Sequence, residues 1–221
     1  MDERIRIIEL DFVNAFLAEA EGGFVLIDTG MGRHWDRLEA ELRSLGCLPG
    51  KLKLVLITHG DHDHTGNCAK LQTKYKIPIA MHVGDAYMAA TGVIPQRKAR
   101  TMRGRVWAWL ARLRMGKIAC DRFKPDILLS DGQDLYGAYG FQAKIVHLPG
   151  HTKGSIGILT EEGDLFVGDT LVNRSRPETA MYIEDSGELR SSIGKLKRLP
   201  IKTVYPGHGK PFLMEQLAVP R

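Results

Sequence analysis

Cysteine is scarce in this 221-residue chain: Cys47, Cys68 and Cys120 lie far apart, and no two form a C-x-x-C pair. A disulfide framework is therefore excluded, and the expectation is small buried thiols in a reducing compartment. Long apolar runs are also missing, since none approaches the roughly 20 residues of a membrane span. The opening Met1-Asp2-Glu3-Arg4 has no apolar stretch behind a basic one, so no secretory leader is expected and a cytoplasmic setting is the default. Nucleotide-binding glycine fingerprints are absent: there is no Walker A sequence, and no G-x-G-x-x-G where a strand meets a helix. A serine-nucleophile elbow fails as well, because Lys153 stands where G-x-S-x-G around Ser155 needs its first glycine. Linkers, low-complexity tracts and solenoid periods do not occur. With 43% hydrophobic and 26% charged residues, the chain reads as one globular domain over residues 1–221.

What is present is concentrated. Thr58 to Asn67 reads T-H-G-D-H-D-H-T-G-N, with three histidines and two aspartates in six residues, directly behind the apolar run Leu52–Ile57. In an extended segment alternate positions share a side, so His59, Asp61 and Asp63 converge, with His64 beside them and His62 pointing away. Imidazoles and carboxylates aimed at one point from a strand end suit a divalent metal. Three later segments repeat the device of a polar residue beside glycine after a strand: Pro149-Gly150-His151, Gly168-Asp169 and Pro206-Gly207-His208. His34, His82 and His147 carry no such context and read as structural.

Periodicity organises the rest. Strands are expected at Ile5–Leu10, Ala15–Glu19, Phe24–Ile27, Leu52–Ile57, Ile77–His82, Ile127–Leu129, Gln142–Leu148, Ser155–Leu159, Leu165–Val167 and Ile201–Tyr205. Helices are expected at Trp35–Leu45, from after Thr65 to about Tyr75, and at Gly187–Leu199. Two β-then-α halves imply two packed sheets with helices outside. A helical insert at about residues 85–125 breaks this rhythm. Within it, Arg97 to Lys117 holds eight basic residues and no acidic one, more than the chain's net charge of +5. Met102, Val106, Trp109, Leu110 and Leu113 share a helical face there. A lid over the site, a homodimer contact, and contact with a membrane surface or polyanion are the three roles open to it.

Taken together, the Asp28-Thr29-Gly30 turn, the H-x-[HD]-x-D-H loop, His151, Asp169 and His208 resemble the metallo-β-lactamase superfamily in order and over nearly the whole chain. The resemblance implies an α/β fold: an αβ/βα four-layer sandwich of two mixed β-sheets flanked by helices, with a dinuclear metal site on one edge. It implies one divalent ion on His59, Asp61 and His151, a second on Asp63, His64 and His208, and Asp169 bridging both. Asp63 and Asp169 would be the catalytic carboxylates. Asp28 would steady the loop from behind, although an Asx turn without a metal role is its other reading. Zinc is the expected metal, with iron or manganese as alternatives. The implied reaction is metal-dependent hydrolysis, in which a hydroxide between the ions attacks a small ester, thioester, lactone or amide; the excess of arginine suits an anionic one. Rival readings are a diiron-type oxidoreductase and a phosphodiesterase or nuclease, with nucleic acid the less expected partner.

Asp61 departs from the family's commonest pattern, which has histidine there. Some members carry a carboxylate instead, among them the flavodiiron oxygen reductases with glutamate. Three aspartates and a hydroxide neutralise two divalent ions fully. Such a cluster is expected to acidify its water less than a zinc site of greater net positive charge would, and to favour harder metals than zinc.

Overall fold

The computed structural model describes residues 4–95, 97–99 and 121–217. The amphipathic face from Met102 to Leu113, its surrounding arginines and Cys120 lie outside those residues.

Two sheets form the frame. The first runs in sequence order, β1 (Ile5–Leu10), β2 (Val13–Ala20), β3 (Gly23–Ile27), β4 (Leu52–Ile57), β5 (Ile79–His82) and β6 (Ile127–Leu129). Its first three strands pair antiparallel, and the pairs from β3 to β6 are parallel. The second sheet comprises β7 (Ala143–His147), β8 (Ile156–Thr160), β9 (Asp164–Gly168), β10 (Thr203–Pro206) and β11 (Phe212–Leu213), again side by side in chain order. Only β9 and β10 are parallel in it, and the helix α4 (Ser186–Leu196) lies between them in sequence. Both sheets are thus mixed, as the resemblance implies.

Strand alternation explains the layering. In β4, Leu54 and Leu56 face the second sheet with Phe16, Val25 and Ile27, meeting Ile145, Ile158, Phe166 and Tyr205. Val55 and Ile57 face the other way, onto Leu38 and Leu42 of α1 (Trp35–Ser44). On the far side, Val146, Leu159, Leu165 and Val204 pack on Leu189, Ile193 and Leu196 of α4. A strand buried on both faces reads as a continuous apolar run, and Leu52–Ile57 is one. Each such Leu, Ile or Val contributes about 1.5–3 kcal/mol by leaving water.

One expectation fails locally. The helical turn begins at His62, inside the histidine-rich loop, as α2 (His62–Thr65), and not after Thr65. Asp61 remains extended at φ −72° and ψ 147°, and its carbonyl accepts from the amides of His64 and Thr65, both at 3.0 Å. Strand alternation therefore governs His59 and Asp61 only, while Asp63 and His64 are aimed by a helical turn. Polar residues carry no hydrophobic period, so nothing in their pattern marks that turn.

Candidate metal centre

Every side chain singled out as a ligand emerges at one edge of the sandwich. His59 and Asp61 follow β4, Asp63 and His64 sit on α2, His151 follows β7, Asp169 follows β9 and His208 follows β10. Glycines let these loops close on one another. A Cβ on Gly207 would stand 2.6 Å from His64 Cε1 and 2.8 Å from Asp169 Oδ1. Gly168, at φ +51°, would bring one to 2.5 Å from Thr58 Oγ1.

Behind the ligands, each imidazole is oriented by its own Nδ1. That atom of His64 lies 2.8 Å from Asp28 Oδ2, that of His151 lies 2.7 Å from the Tyr182 carbonyl, and that of His208 lies 2.6 Å from the Phe12 carbonyl. The Thr58 hydroxyl donates to Asp28 at 2.7 Å and so has a lone pair for His59 Nδ1, 3.0 Å away. With carboxylate, carbonyl and hydroxyl acceptors at all four Nδ1 atoms, each ring carries its proton there and presents its Nε2 to the centre.

The atoms in front form two lobes. In one, Asp61 Oδ2 is 3.4 Å from His59 Nε2 and 3.3 Å from His151 Nε2. In the other, His208 Nε2 is 3.4 Å from Asp63 Oδ2, with His64 beside them. Asp169 reaches both: its Oδ2 lies 3.2 Å from His208 Nε2 and 3.9 Å from His151 Nε2, and its Oδ1 lies 3.3 Å from His64 Nε2. Tetrahedral ligand atoms about 2.0–2.1 Å from a zinc ion stand about 3.3–3.4 Å apart, and the contacts here match that spacing apart from the 3.9 Å between Asp169 and His151. His59 Nε2, His64 Nε2 and Asp169 Oδ1 are moreover buried without a hydrogen-bond partner. Orphaned buried groups of this kind carry a penalty that a cation would remove. The donor set fits two divalent ions.

Electrostatics agree. Burial alone would raise the Asp169 carboxyl, but the His208 and His64 charges hold it well below the usual range. Burial likewise opposes ionisation of Asp61, and His151, His59 and Arg97 overcome it. Burial works against a charged His208 too, yet Asp169 and Asp63 lift it to about 9. His64 is raised for the same reason by Asp28, Asp63 and Asp169. The cluster demands positive charge.

Two buried aspartates hold the edge together. Asp28, at a positive φ of 58°, accepts from the Thr58 amide at 2.9 Å as well as from Thr58 Oγ1 and His64. The expected role behind the loop is the one its contacts support. Replacing it with asparagine puts an amide NH2 against donors. Asp28→Asn is accordingly expected to weaken metal retention by roughly 10–100-fold, read by competition with a chromogenic chelator. The second aspartate, Asp85, has no place in the sequence reading. Its carboxylate accepts from Gly60 N at 2.8 Å, Thr152 Oγ1 at 2.7 Å and Gly154 N at 2.7 Å, tying the His59 loop to the His151 loop. Its one sequence signal is a carboxylate just before the helix α3 (Ala86–Thr91), where it resembles an ordinary N-cap.

The remaining histidines stay apart. His34 pairs with Asp11 at 2.9 Å, and His82 stacks on His147 with centroids 3.9 Å apart. His62 belongs to none of the ligand groups among the described residues. Arg97 was not expected here. Its guanidinium grips both oxygens of Asp61, with Nη2 2.6 Å from Oδ1, and its Nε lies 3.6 Å from Glu184 Oε1. The charge count over ligands alone, which made the cluster neutral, leaves this cation out.

Comparison with known proteins gives the fold its family. The sequence signature of the metallo-beta-lactamase superfamily matches residues 8–208. The chain belongs to the metallo-beta-lactamase superfamily. Within it, a hydroxyacylglutathione hydrolase of Pelagibacter ubique is 31% identical over 71% of this chain, a stretch that spans 52% of that hydrolase. An acyl-coenzyme A thioesterase, MBLAC2, of Bos taurus is 27% identical over 92% of this chain and 75% of its own length. A crystal structure of TTHA1623 in a di-iron-bound form superposes with a TM-score of 0.72 at 25% identity, covering 96% of this chain and 95% of that one. Superfamily membership and the names of these relatives support a metal-dependent hydrolase. No helix among the described residues is long and apolar enough to cross a membrane.

Proposed function

We propose that this superfamily member is a dinuclear metal-dependent hydrolase whose substrate is a small thioester or a closely related ester or lactone. The observation that carries the reading is the pair of ligand triads sharing Asp169, with four Nε2 atoms aimed inward from one sheet edge. His59, Asp61 and His151 would hold one ion, Asp63, His64 and His208 the other, and Asp169 both. When bound, the ions supply Lewis acidity, lowering the pKa of a water and polarising a carbonyl oxygen.

The chain's own residues set up that chemistry. Asp28, Thr58 and the Tyr182 and Phe12 carbonyls fix which nitrogen of each imidazole faces the centre. Asp63 is the most exposed carboxylate of the set, at 21%. That exposure makes it the carboxylate assigned here to accept the proton of the attacking water. Thioesters are the first candidate substrates, a choice supported by two relatives whose names specify hydroxyacylglutathione and acyl-coenzyme A. Zinc is the proposed native metal. The three carboxylates and the di-iron form of TTHA1623 make iron its rival.

The deciding experiment has two parts. Elemental analysis of protein produced without added metal is expected to give two equivalents per chain. Thioester, ester, lactone, β-lactam and phosphodiester substrates are then tested on zinc-, manganese- and iron-loaded protein. Thioester cleavage that a chelator abolishes and metal restores is the expected result. Metal-independent turnover, or a phosphodiester as the best substrate, would sink the reading. The lid, dimer and membrane roles of residues 97–117 rest on residues 100–117, which lie outside those described.

A further inference from the structure

Arg97 is the feature of this edge that neither the ligand set nor the oriented imidazoles account for. Its side chain is only 8% exposed, although it comes from a strongly basic segment. A two-residue ribbon holds it there: Lys98 and Ala99 pair antiparallel with Ile183 and Tyr182. The carbonyl of that same Tyr182 fixes His151, and Glu184, two residues on, lies beside the Arg97 Nε. One short ribbon thus sets both a ligand and the cation next to it. The guanidinium meets Asp61 as a fork on both oxygens, and Nη1 comes within 3.5 Å of His151 Nε2. Asp61 Oδ2, which faces His59 and His151, is therefore shared with an arginine.

We infer that Arg97 is above all a charge-balancing residue that makes Asp61 act as a near-neutral ligand, so that the His59/Asp61/His151 lobe holds its metal more weakly than the Asp63/His64/His208 lobe. The inference rests on the metal-binding role proposed above. A carboxylate whose charge is matched by a guanidinium attracts a divalent ion little more than an imidazole does. The ion pair found for Asp63 among the described residues is with His208, a histidine of its own lobe. Arginine suits the task because it cannot give up its proton and its planar fork keeps Asp61 in one orientation.

Orientation and charge balance predict opposite outcomes when Arg97 is lost. A residue that only orients a ligand weakens metal binding by roughly 10–100-fold when removed. One that cancels the ligand's charge strengthens it, because Asp61 then meets the ion with its full charge. The experiment is a zinc titration against a competing chelator on wild type, Arg97→Met, Asp61→His and Asp61→His/Arg97→Met. Arg97→Gln, which keeps a donor for Asp61 but no charge, stands in if Arg97→Met does not fold.

Wild type is expected to bind two ions in unequal steps. Arg97→Met, or Arg97→Gln, should tighten the weaker step about tenfold or more. Asp61→His, which leaves Arg97 beside three imidazoles, should lose that step, and adding Arg97→Met should restore it. An unchanged or weaker step in the Arg97 variants, or an Asp61→His protein that binds two ions as wild type does, would overturn the inference alone. Wild-type protein that takes up no metal would overturn the proposed function together with it.

Discussion

The Asp169→Asn protein is expected to fold, to hold fewer than two equivalents of metal, and to lose on the order of 10³-fold or more in kcat/KM on the best thioester substrate. The reason is position. Asp169 is the one carboxylate whose oxygens reach both lobes, 3.2 Å from His208 Nε2, 3.3 Å from His64 Nε2 and 3.9 Å from His151 Nε2. Asparagine keeps the shape but offers one oxygen and an NH2 group, so at least one lobe meets a donor where it needs an acceptor. Residues that merely support ligands typically cost 10–100-fold when changed, and a shared ligand stands closer to the chemistry than they do. Circular dichroism checks the fold, elemental analysis the metal, and initial rates the activity. Wild-type rates with two ions bound would refute the bridging role.

Asp85→Ala is expected to be the most destabilising change at the site edge, and its damage should fall on one lobe. The carboxylate is 1% exposed and accepts from two backbone amides and a hydroxyl. Alanine leaves the Gly60 and Gly154 amides buried without an acceptor, at about 1–3 kcal/mol each, whereas Thr152 keeps Ser155 at 2.7 Å. A total of about 2–6 kcal/mol corresponds to a fall in Tm of roughly 10 °C in a protein of this size. Asp85 ties the His59–Asp61 loop to the His151 loop and makes none of its three bonds to α2 or to the His208 loop. Chelator competition should therefore show a loosened His59/Asp61/His151 ion and a nearly unaffected second one. Equal loosening of both would mean that Asp85 supports the whole edge.

Sequence and structure agree wherever one physical signal dominates. Apolar runs bounded by glycine and proline located every strand of the two large sheets except the two-residue β11, because burial on both faces leaves a continuous hydrophobic record. The clustering of the candidate ligands was legible because His59, Asp61, His151, Asp169 and His208 each follow such a run and sit beside a glycine, whereas Asp63 and His64 were legible only by their closeness to His59 and Asp61 in the chain. Asp85 was hidden because its partners are main-chain amides 25 and 69 residues away, and backbone groups leave no trace in a sequence. Arg97 was hidden among eight basic residues, of which the pairing of Lys98–Ala99 with Tyr182–Ile183 selects one for burial. Two-residue strands have no period to detect. The α2 turn at His62 escaped for a related reason: polar residues that face a centre and not a core mimic extended alternation.

The division of the ligands between the sheets has a mechanical consequence. Each lobe draws two side chains from the first half of the chain and one from the second: His59 and Asp61 with His151, and Asp63 and His64 with His208. Asp169 adds a further strap from the second half. An ion in either lobe would therefore act as a rivet across the seam between the two halves. It would join loops that otherwise meet through hydrogen bonds, and the proposed site would become the place where the sandwich is clamped shut.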